Sequence, residues 1–228
     1  MHIISLSFDD GFRKSNLRLA EAYERFGLSA CMNVLAAPGE LNPKEGADWG
    51  ADRGDFGLWN ELQARGHEIM PHGYRHANKA ELPHAEAQDL ITRCLDIFAA
   101  RLDGFDAKQA VFNFPYNQVT PKLEAWLPSV VKAYRAHGTM INPLPFPGMV
   151  KIGTGGHGPD NCEAHLDAAI AELLARPSGW LVYNTHGLDE EGWGPIGSDY
   201  LDRLLARLVE IDGVKVRPTA RALNELGG

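Results

Sequence analysis

Strand-like apolar runs alternate with amphipathic helical stretches from one end of this chain to the other, and that alternation constrains the fold more than any other feature. The first run, His2-Ile3-Ile4-Ser5-Leu6, has the aliphatic and β-branched content of a buried strand. A helix is expected over residues 13–26, where Leu19, Ala22, Tyr23 and Phe26 fall at i, i+3, i+4 and i+7 and Gly27 is a natural stop. Strands are expected over 30–35, 67–70, 110–114 and 180–184, with a weak one over 149–153 and a last one over 214–217. Residues 130–136 fit strand or helix. Helices are expected over 56–65, 84–102, 121–127, 163–176, 198–211 (with Ser198 as N-cap) and 219–226. The stretch 36–57, with two Pro and five Gly, is too long for a simple connection and reads as a functional loop or lid.

Seven or eight strands alternating with helices, with no break in composition, predict a single α/β domain built on a parallel sheet. Polar residues follow several different strands, as they do where loops converge at one end of a barrel, so a (β/α) barrel is expected over an open sheet. The length of 228 residues suits one such domain, and the net charge of −8 argues against a nucleic-acid or anionic-membrane partner. No run is apolar for long enough to span a membrane, and Asp9 and Asp10 interrupt the N-terminus too early for a signal peptide, so a cytoplasmic protein is expected. Cys31, Cys94 and Cys162 are odd in number and widely spaced, which fits buried thiols rather than disulfides or a metal pair. A homo-oligomer is left open.

Three stretches carry chemistry. Ser7-Phe8-Asp9-Asp10-Gly11 places two adjacent carboxylates directly after a buried strand, which is costly without a nearby positive group. The plain alternative is a strand-to-turn junction. His72 and His76 stand at i and i+4, so that on one helical turn both imidazoles face one way and can share a metal; the alternative is a solvated loop. Two imidazoles and one carboxylate with open positions suit Zn²⁺, and Co²⁺ or Ni²⁺ accept the same set. Neighbouring side chains diverge along an extended chain, so the second Asp is left near the metal as a candidate base for a bound water. His186, after a buried strand and before Gly187, is placed to protonate a leaving group or simply to hydrogen-bond within a loop.

These residues resemble the motifs of the polysaccharide deacetylases, the NodB-homology or carbohydrate esterase family 4 group. Asp9-Asp10-Gly11 after Ser7-Phe8 looks like the first motif. Gly66-His67-Glu68-Ile69 running into His72 and His76 is similar to the second, and 181–186 to the last. The resemblance implies a distorted (β/α) barrel, with Asp10, His72 and His76 as metal ligands, Asp9 as general base and His186 as general acid. It implies hydrolysis of an amide, removing an acyl group, usually acetyl, from an N-acetylated sugar or oligosaccharide. The third motif departs from the family: Phe112-Asn113-Phe114-Pro115-Tyr116-Asn117 has Asn113 where an Arg usually pairs with the base, and Asn117 in place of Gly. Asn113 supplies no charge, so either another cation, with Arg75 and Arg135 as candidates, takes the place of that Arg or the base has a raised pKa. The acid that orients His186 is not evident, since Asp189, Glu190 and Glu191 form a run of the kind that is ordinarily solvated.

Tyr116, Trp59 and Trp193 are aromatic candidates for a sugar-binding wall, although core packing is the commoner fate of such side chains. Asn113, Pro115, Tyr116 and Trp193 are carried forward as substrate contacts. The Gly-rich run 153–158 lacks the Gly-Lys-Ser/Thr ending of a phosphate loop. Two alternatives stand beside the deacetylase: a metal-dependent amidase, imidase or deformylase acting on a small non-carbohydrate amide, and a non-catalytic sugar-binding protein that keeps the metal.

Overall fold

The computed structural model describes residues 1–40 and 52–226. Strand β1 (His2–Phe8) is the hub of the sheet. Its alternate side chains face two environments, as a period of two requires. Ile4, Leu6 and Phe8 pack into the large apolar layer beneath the helices, and Ile3 joins a second cluster with Val111, Trp180, Val182 and Leu223. Ser5 and Ser7 share the face of Ile3, so this inner column turns polar as it climbs. Ser5 Oγ donates to the Arg217 carbonyl (2.6 Å) and accepts from Trp180 Nε1 (2.8 Å).

The other elements follow in the expected alternation: α1 (Arg13–Glu24), β2 (Cys31–Val34), α2 (Phe56–Ala64), β3 (Glu68–Pro71), α3 (His84–Arg101), β4 (Val111–Asn113) and α4 (Pro121–Trp126). After them come β5 (Ala133–His137), β6 (Ile141–Asn142), β7 (Lys151–Thr154), α5 (Cys162–Leu174), β8 (Gly179–Thr185), α6 (Ser198–Val209), β9 (Val214–Val216) and α7 (Thr219–Leu226). The ambiguous stretch 130–136 resolves as strand β5. The two-residue β6, which no periodicity could reveal, runs antiparallel to β8. Residues 41–51 of the lid-like segment lie outside the described residues. Its end at Arg53 bridges Phe12, and the Asp52 carbonyl accepts from the Arg13 amide.

The strands form a six-stranded sheet, ordered β3-β2-β1-β8-β6 with β9 also on β1, and a three-stranded sheet, β4-β5-β7. Every pairing except β6–β8 is parallel. Strand β8 pairs with all seven residues of β1, so the other edge of β1 is shared, by β9 at His2, Ile3 and Ile4 and by β2 at Ser7 and Phe8. A parallel bridge, Gly155 to Tyr183, ties the end of β7 to β8. Between β3 and β4 the link is made by side chains: Asn113 Nδ2 donates to the Pro71 carbonyl at 3.3 Å. The α/β domain expected from the sequence is therefore present, with its strands in two sheets whose backbone ladders, among the described residues, do not close into a continuous barrel.

One end of the strands is covered by α7, whose first amides are held by a carboxylate from β3. Glu68 accepts from Ala220 N (2.9 Å) and Arg221 N (2.7 Å), which satisfies donors that a helix start otherwise leaves bare. The expected N-cap of α6 is corrected. Gly197 is the N-cap, and Ser198 gives its amide to Asp189 Oδ1 at 2.8 Å, so the cap is supplied from the loop after β8. That leaves the opposite end of the strands, at Asp9, His72 and Thr185, open for chemistry.

Candidate metal centre and cleft

The chain turns sharply as it leaves β1. Asp9 still follows the ladder, its amide donating to the Thr185 carbonyl at 3.0 Å, but Asp10 and Gly11 both take φ of 75°. Asp tolerates that left-handed region better than most side-chain-bearing residues. At Gly11 a Cβ would come within 3.1 Å of the Trp59 ring and 3.3 Å of Val34, so the position requires glycine on both counts. The turn separates the two carboxylates. Asp9 continues the inner column above Ser7, whereas Asp10 swings toward the histidine pair.

Every acceptor position of Asp9 is engaged. Oδ1 accepts from Asn33 Nδ2 (2.7 Å) and Arg135 Nη1 (2.9 Å), and Oδ2 accepts from Arg135 Nη2 (2.6 Å) and Asn184 Nδ2 (2.7 Å). Ser7 Oγ braces the same donors, lying 2.6 Å from both Asn33 Nδ2 and Arg135 Nη1. Arg135 is fully buried and its fork meets the carboxylate in the two-pronged geometry that makes such pairs strong. Burial alone would raise the Asp9 pKa, but the charge and hydrogen bonds of Arg135, with His72 and His186 nearby, bring it below its ordinary value. The cation that Asn113 cannot supply is thus Arg135, not Arg75, which faces Glu86 at 3.7 Å. Asn113 and Arg135 are register partners across β4 and β5.

Asp10, His72 and His76 form the one group among the described residues whose ligand atoms converge as a metal requires, all lying within 4.8 Å of one another. Asp10 Oδ1 is 3.5 Å from Nε2 of each histidine. Both Asp10 oxygens and His72 Nε2 are buried without a hydrogen-bond partner, a costly arrangement that a cation would relieve. His72 Nδ1 lies 3.1 Å from the Asn113 carbonyl. Donating there fixes the tautomer and leaves the Nε2 lone pair aimed at Asp10, the usual arrangement behind a ligating imidazole. Burial would raise the Asp10 pKa, yet His76 and His72 together hold it well below the carboxylate range. The donor set fits a divalent cation of the zinc type. The route to convergence differs from the expected helical turn: β3 ends at Pro71, and the two histidines stand on a loop turned by Gly73, at φ 107°.

His186 follows β8 directly and faces an open cleft of about 770 Å³, shared with His76, Tyr116, Asn117, Gln118 and Trp193. Its ring lies 5.7 Å from that of Trp193, edge to face, and its Nδ1 has no hydrogen-bond partner among the described residues. The neighbouring acids serve elsewhere: Glu191 accepts from the Ser15 amide (2.8 Å) and hydroxyl (2.5 Å), and Asp189 caps α6. Tyr116, at φ 57°, lays its ring 4.6 Å from His76. Tyr116 and Trp193 are 44% and 41% exposed, whereas Trp59 is buried in the core, so of the three aromatic candidates Trp59 takes the core-packing alternative. Two expected substrate contacts are corrected. Asn113 is fully buried and directs its amide to the Pro71 and Val111 carbonyls, and Pro115 is buried against Gly73. Both support the loops behind the histidines.

Asn33 is not singled out by sequence reasoning, and Ser7 and Asn184, although inside the quoted stretches, are given no part there in holding Asp9. Each lies inside an apparently ordinary strand. The only sign available was a polar residue in an otherwise apolar run, at the same strand end as an acid.

Residues 2–138 match the family model described as polysaccharide deacetylase. The chain belongs to the polysaccharide deacetylase family. Solved structures of the same fold include the peptidoglycan deacetylase PdaC from Bacillus subtilis, 14% identical, with 97% of this chain and 90% of that one covered and a TM-score of 0.59. A family 4 carbohydrate esterase from Streptomyces lividans, in complex with acetate, is 18% identical over 94% and 91% of the two chains, with a TM-score of 0.59. The catalytic domain of a peptidoglycan N-acetylglucosamine deacetylase from Eubacterium rectale is 15% identical over 96% and 89%, with a TM-score of 0.60. No curated protein sequence matches the chain. At these identities the structural likeness speaks for the shared fold, and the site stands on its own geometry.

Proposed function

We propose that this polysaccharide deacetylase family member is a metal-dependent hydrolase that removes an N-acyl group, chiefly acetyl, from a carbohydrate substrate. The observation that carries the reading is the convergence of partnerless Asp10 and His72 ligand atoms with His76, beside a carboxylate fixed by Arg135, at the edge of a cleft walled by exposed aromatics. Asp10, His72 and His76 would hold the cation. When bound, it supplies Lewis acidity that polarises an acyl carbonyl and acidifies water.

The protein's own groups account for the remaining work. Asp9, kept ionised by Arg135, accepts the proton of the attacking water, and Asn184 is the neutral donor that can yield its place on Oδ2 for that step. His186 faces the cleft from the end of β8 and protonates the departing amine. Tyr116 and Trp193 offer apolar faces to a sugar ring or acyl methyl group, flanked by the carboxamides of Asn117 and Gln118 for hydroxyls. The acetate held by the Streptomyces lividans relative supports acetyl as the acyl group. A small amide or imide substrate is suggested by the loss of the family's Arg at position 113, and Arg135 removes that motive by restoring the charge.

The test joins elemental analysis of the purified protein to acetate release from N-acetylated oligosaccharides, with cyclic imides and formamides as competing substrates. About one divalent metal per chain and metal-dependent acetate release are expected. Saccharide binding without acetate release in the presence of Zn²⁺, Co²⁺ or Ni²⁺ would favour the non-catalytic alternative. His72→Ala should drop the metal content to near zero, since a site with three protein ligands loses one of them. Trp193→Ala should raise KM by roughly 2- to 10-fold, the worth of one aromatic contact. Its melting temperature should be nearly unchanged because the ring is already 41% exposed. An unchanged KM would remove Trp193 from the substrate wall.

A further inference from the structure

Lys79 is among the largest fully buried side chains in the protein, with no exposed surface. An ammonium is rarely enclosed in this way, because desolvating it costs far more than its stem gains by packing. Two backbone carbonyls are among the groups that receive it. Nζ donates to the Ala77 carbonyl at 3.0 Å and to the Arg75 carbonyl at 3.3 Å, and it lies 3.2 Å from where a Cβ on Gly73 would stand. The charge therefore sits inside the curl of the loop that runs from His72 to Ala77.

The rest of that loop is tied from outside. The Gly73 and Tyr74 carbonyls accept from the amides of Ala36 (3.0 Å) and Ala37 (2.8 Å), and the Ala77 amide closes a tight turn onto Arg75 at 2.8 Å. Two carbonyls are thus held by the chain beyond β2, and the next ones are gathered inward by Lys79. His72 is still tied to β2, its amide donating to the Val34 carbonyl at 2.9 Å, so it is the placement of His76 relative to His72 that depends on these anchors.

We infer that Lys79 is a positioning residue, an internal cation that preorganises the His72–His76 loop so that both imidazoles face Asp10 before any metal arrives. The inference rests on the metal-site reading given above. It also has a cost that makes it testable, since a fixed positive charge near the site opposes a divalent cation electrostatically. If geometry governs, removing the charge weakens metal binding. If repulsion governs, removing it strengthens binding.

The experiment compares Co²⁺ affinity and the Co²⁺ visible absorption spectrum of the unsubstituted protein, Lys79→Met and Lys79→Gln, with Phe98→Leu in α3 as a control for general loss of stability. Loss of a residue supporting a ligand typically weakens metal affinity by about 10- to 100-fold. That loss and an altered spectrum are expected in Lys79→Met, with partial recovery in Lys79→Gln, which keeps a donor. Phe98→Leu should lower the melting temperature and leave affinity and spectrum unchanged. Equal or tighter Co²⁺ binding by Lys79→Met overturns the inference, as does the same loss in Phe98→Leu. If the unsubstituted protein binds no Co²⁺, Zn²⁺ or Ni²⁺, the metal-site reading has failed instead.

Hydrogen exchange on the unsubstituted, metal-free protein decides the matter even if neither lysine variant folds. The Ala77 amide should already be protected without metal. Protection that appears only on adding metal would show that the loop is organised by the ion and not by Lys79.

Discussion

Asp9→Asn is expected to lower turnover by about 10²- to 10⁴-fold, the usual worth of a general base, while leaving the metal content close to one per chain. The metal content should survive because Asp10, His72 and His76 converge without help from Asp9, whose nearest approach to the histidines is 3.9 Å, at His72 Nε2. An asparagine nearly preserves the shape but cannot take up a proton. Its NH₂ group, in place of either oxygen, would also face an Arg135 nitrogen and one carboxamide, Asn33 on the Oδ1 side or Asn184 on the Oδ2 side, all of which are donors there. Turnover should be measured well below the melting temperature, with metal content determined on the same sample. Near-wild-type turnover in a fully loaded variant would rule out Asp9 as the base and move the proton transfer to His186.

The second large effect concerns Arg135. Arg135→Met should destabilise the fold by roughly 3–5 kcal/mol, because breaking one partner of a buried pair strands the other charge. Asp9 is 3% exposed and Arg135 is fully buried, so solvent screens neither. Replacing both together, as Asp9→Asn with Arg135→Met, should cost less than the sum of the single changes, with a coupling of about 0.5–3 kcal/mol. The pH dependence has a definite sign. With its folded pKa below the ordinary 3.8, Asp9 contributes stability that is fully present above that value and is lost as pH falls through the lower folded value. In Arg135→Met the desolvation of Asp9 persists without its counter-charge, so its pKa rises and the acid limb of kcat/KM moves to higher pH. Denaturant unfolding at several pH values and a pH–rate profile check both halves. An acid limb that does not move would separate Arg135 from the ionisation of Asp9.

The sequence makes the candidate site residues easier to read than their surroundings. Asp9, Asp10, His72, His76 and His186 lie directly past strands whose apolar character is plain, and a strand end is the one place where linear position predicts spatial convergence. The His pair was nevertheless recognised by a spacing that suits a helix, and it converges on a loop instead. Arg135 shows the limit most clearly. Its relation to Asp9 depends on the β4–β5 register, in which Arg135 stands beside Asn113, and register between strands more than twenty positions apart leaves no trace in local spacing. The aromatic residues were equally opaque, because Trp59, Tyr116 and Trp193 differ in burial for reasons set by the loops around them. Strand β6, at two residues, is shorter than any alternation that could reveal it.

The place of β1 at the hub has a consequence for biosynthesis. Its pairing partner along its whole length, β8, begins at Gly179, and β9 begins still later, at Val214. At a synthesis rate of about 5–20 residues per second, the 177 positions from His2 to Gly179 take roughly 9 to 35 s to translate. For that interval an apolar strand carrying two acids at its end stands in the nascent chain with one edge unclaimed, a template for wrong pairing. The same delay means that Asp9 cannot meet Asn184, nor His76 share its cleft with His186, until the chain has been made through β8. Contact order of this kind makes folding slow, and it makes assembly of the candidate site wait on β8.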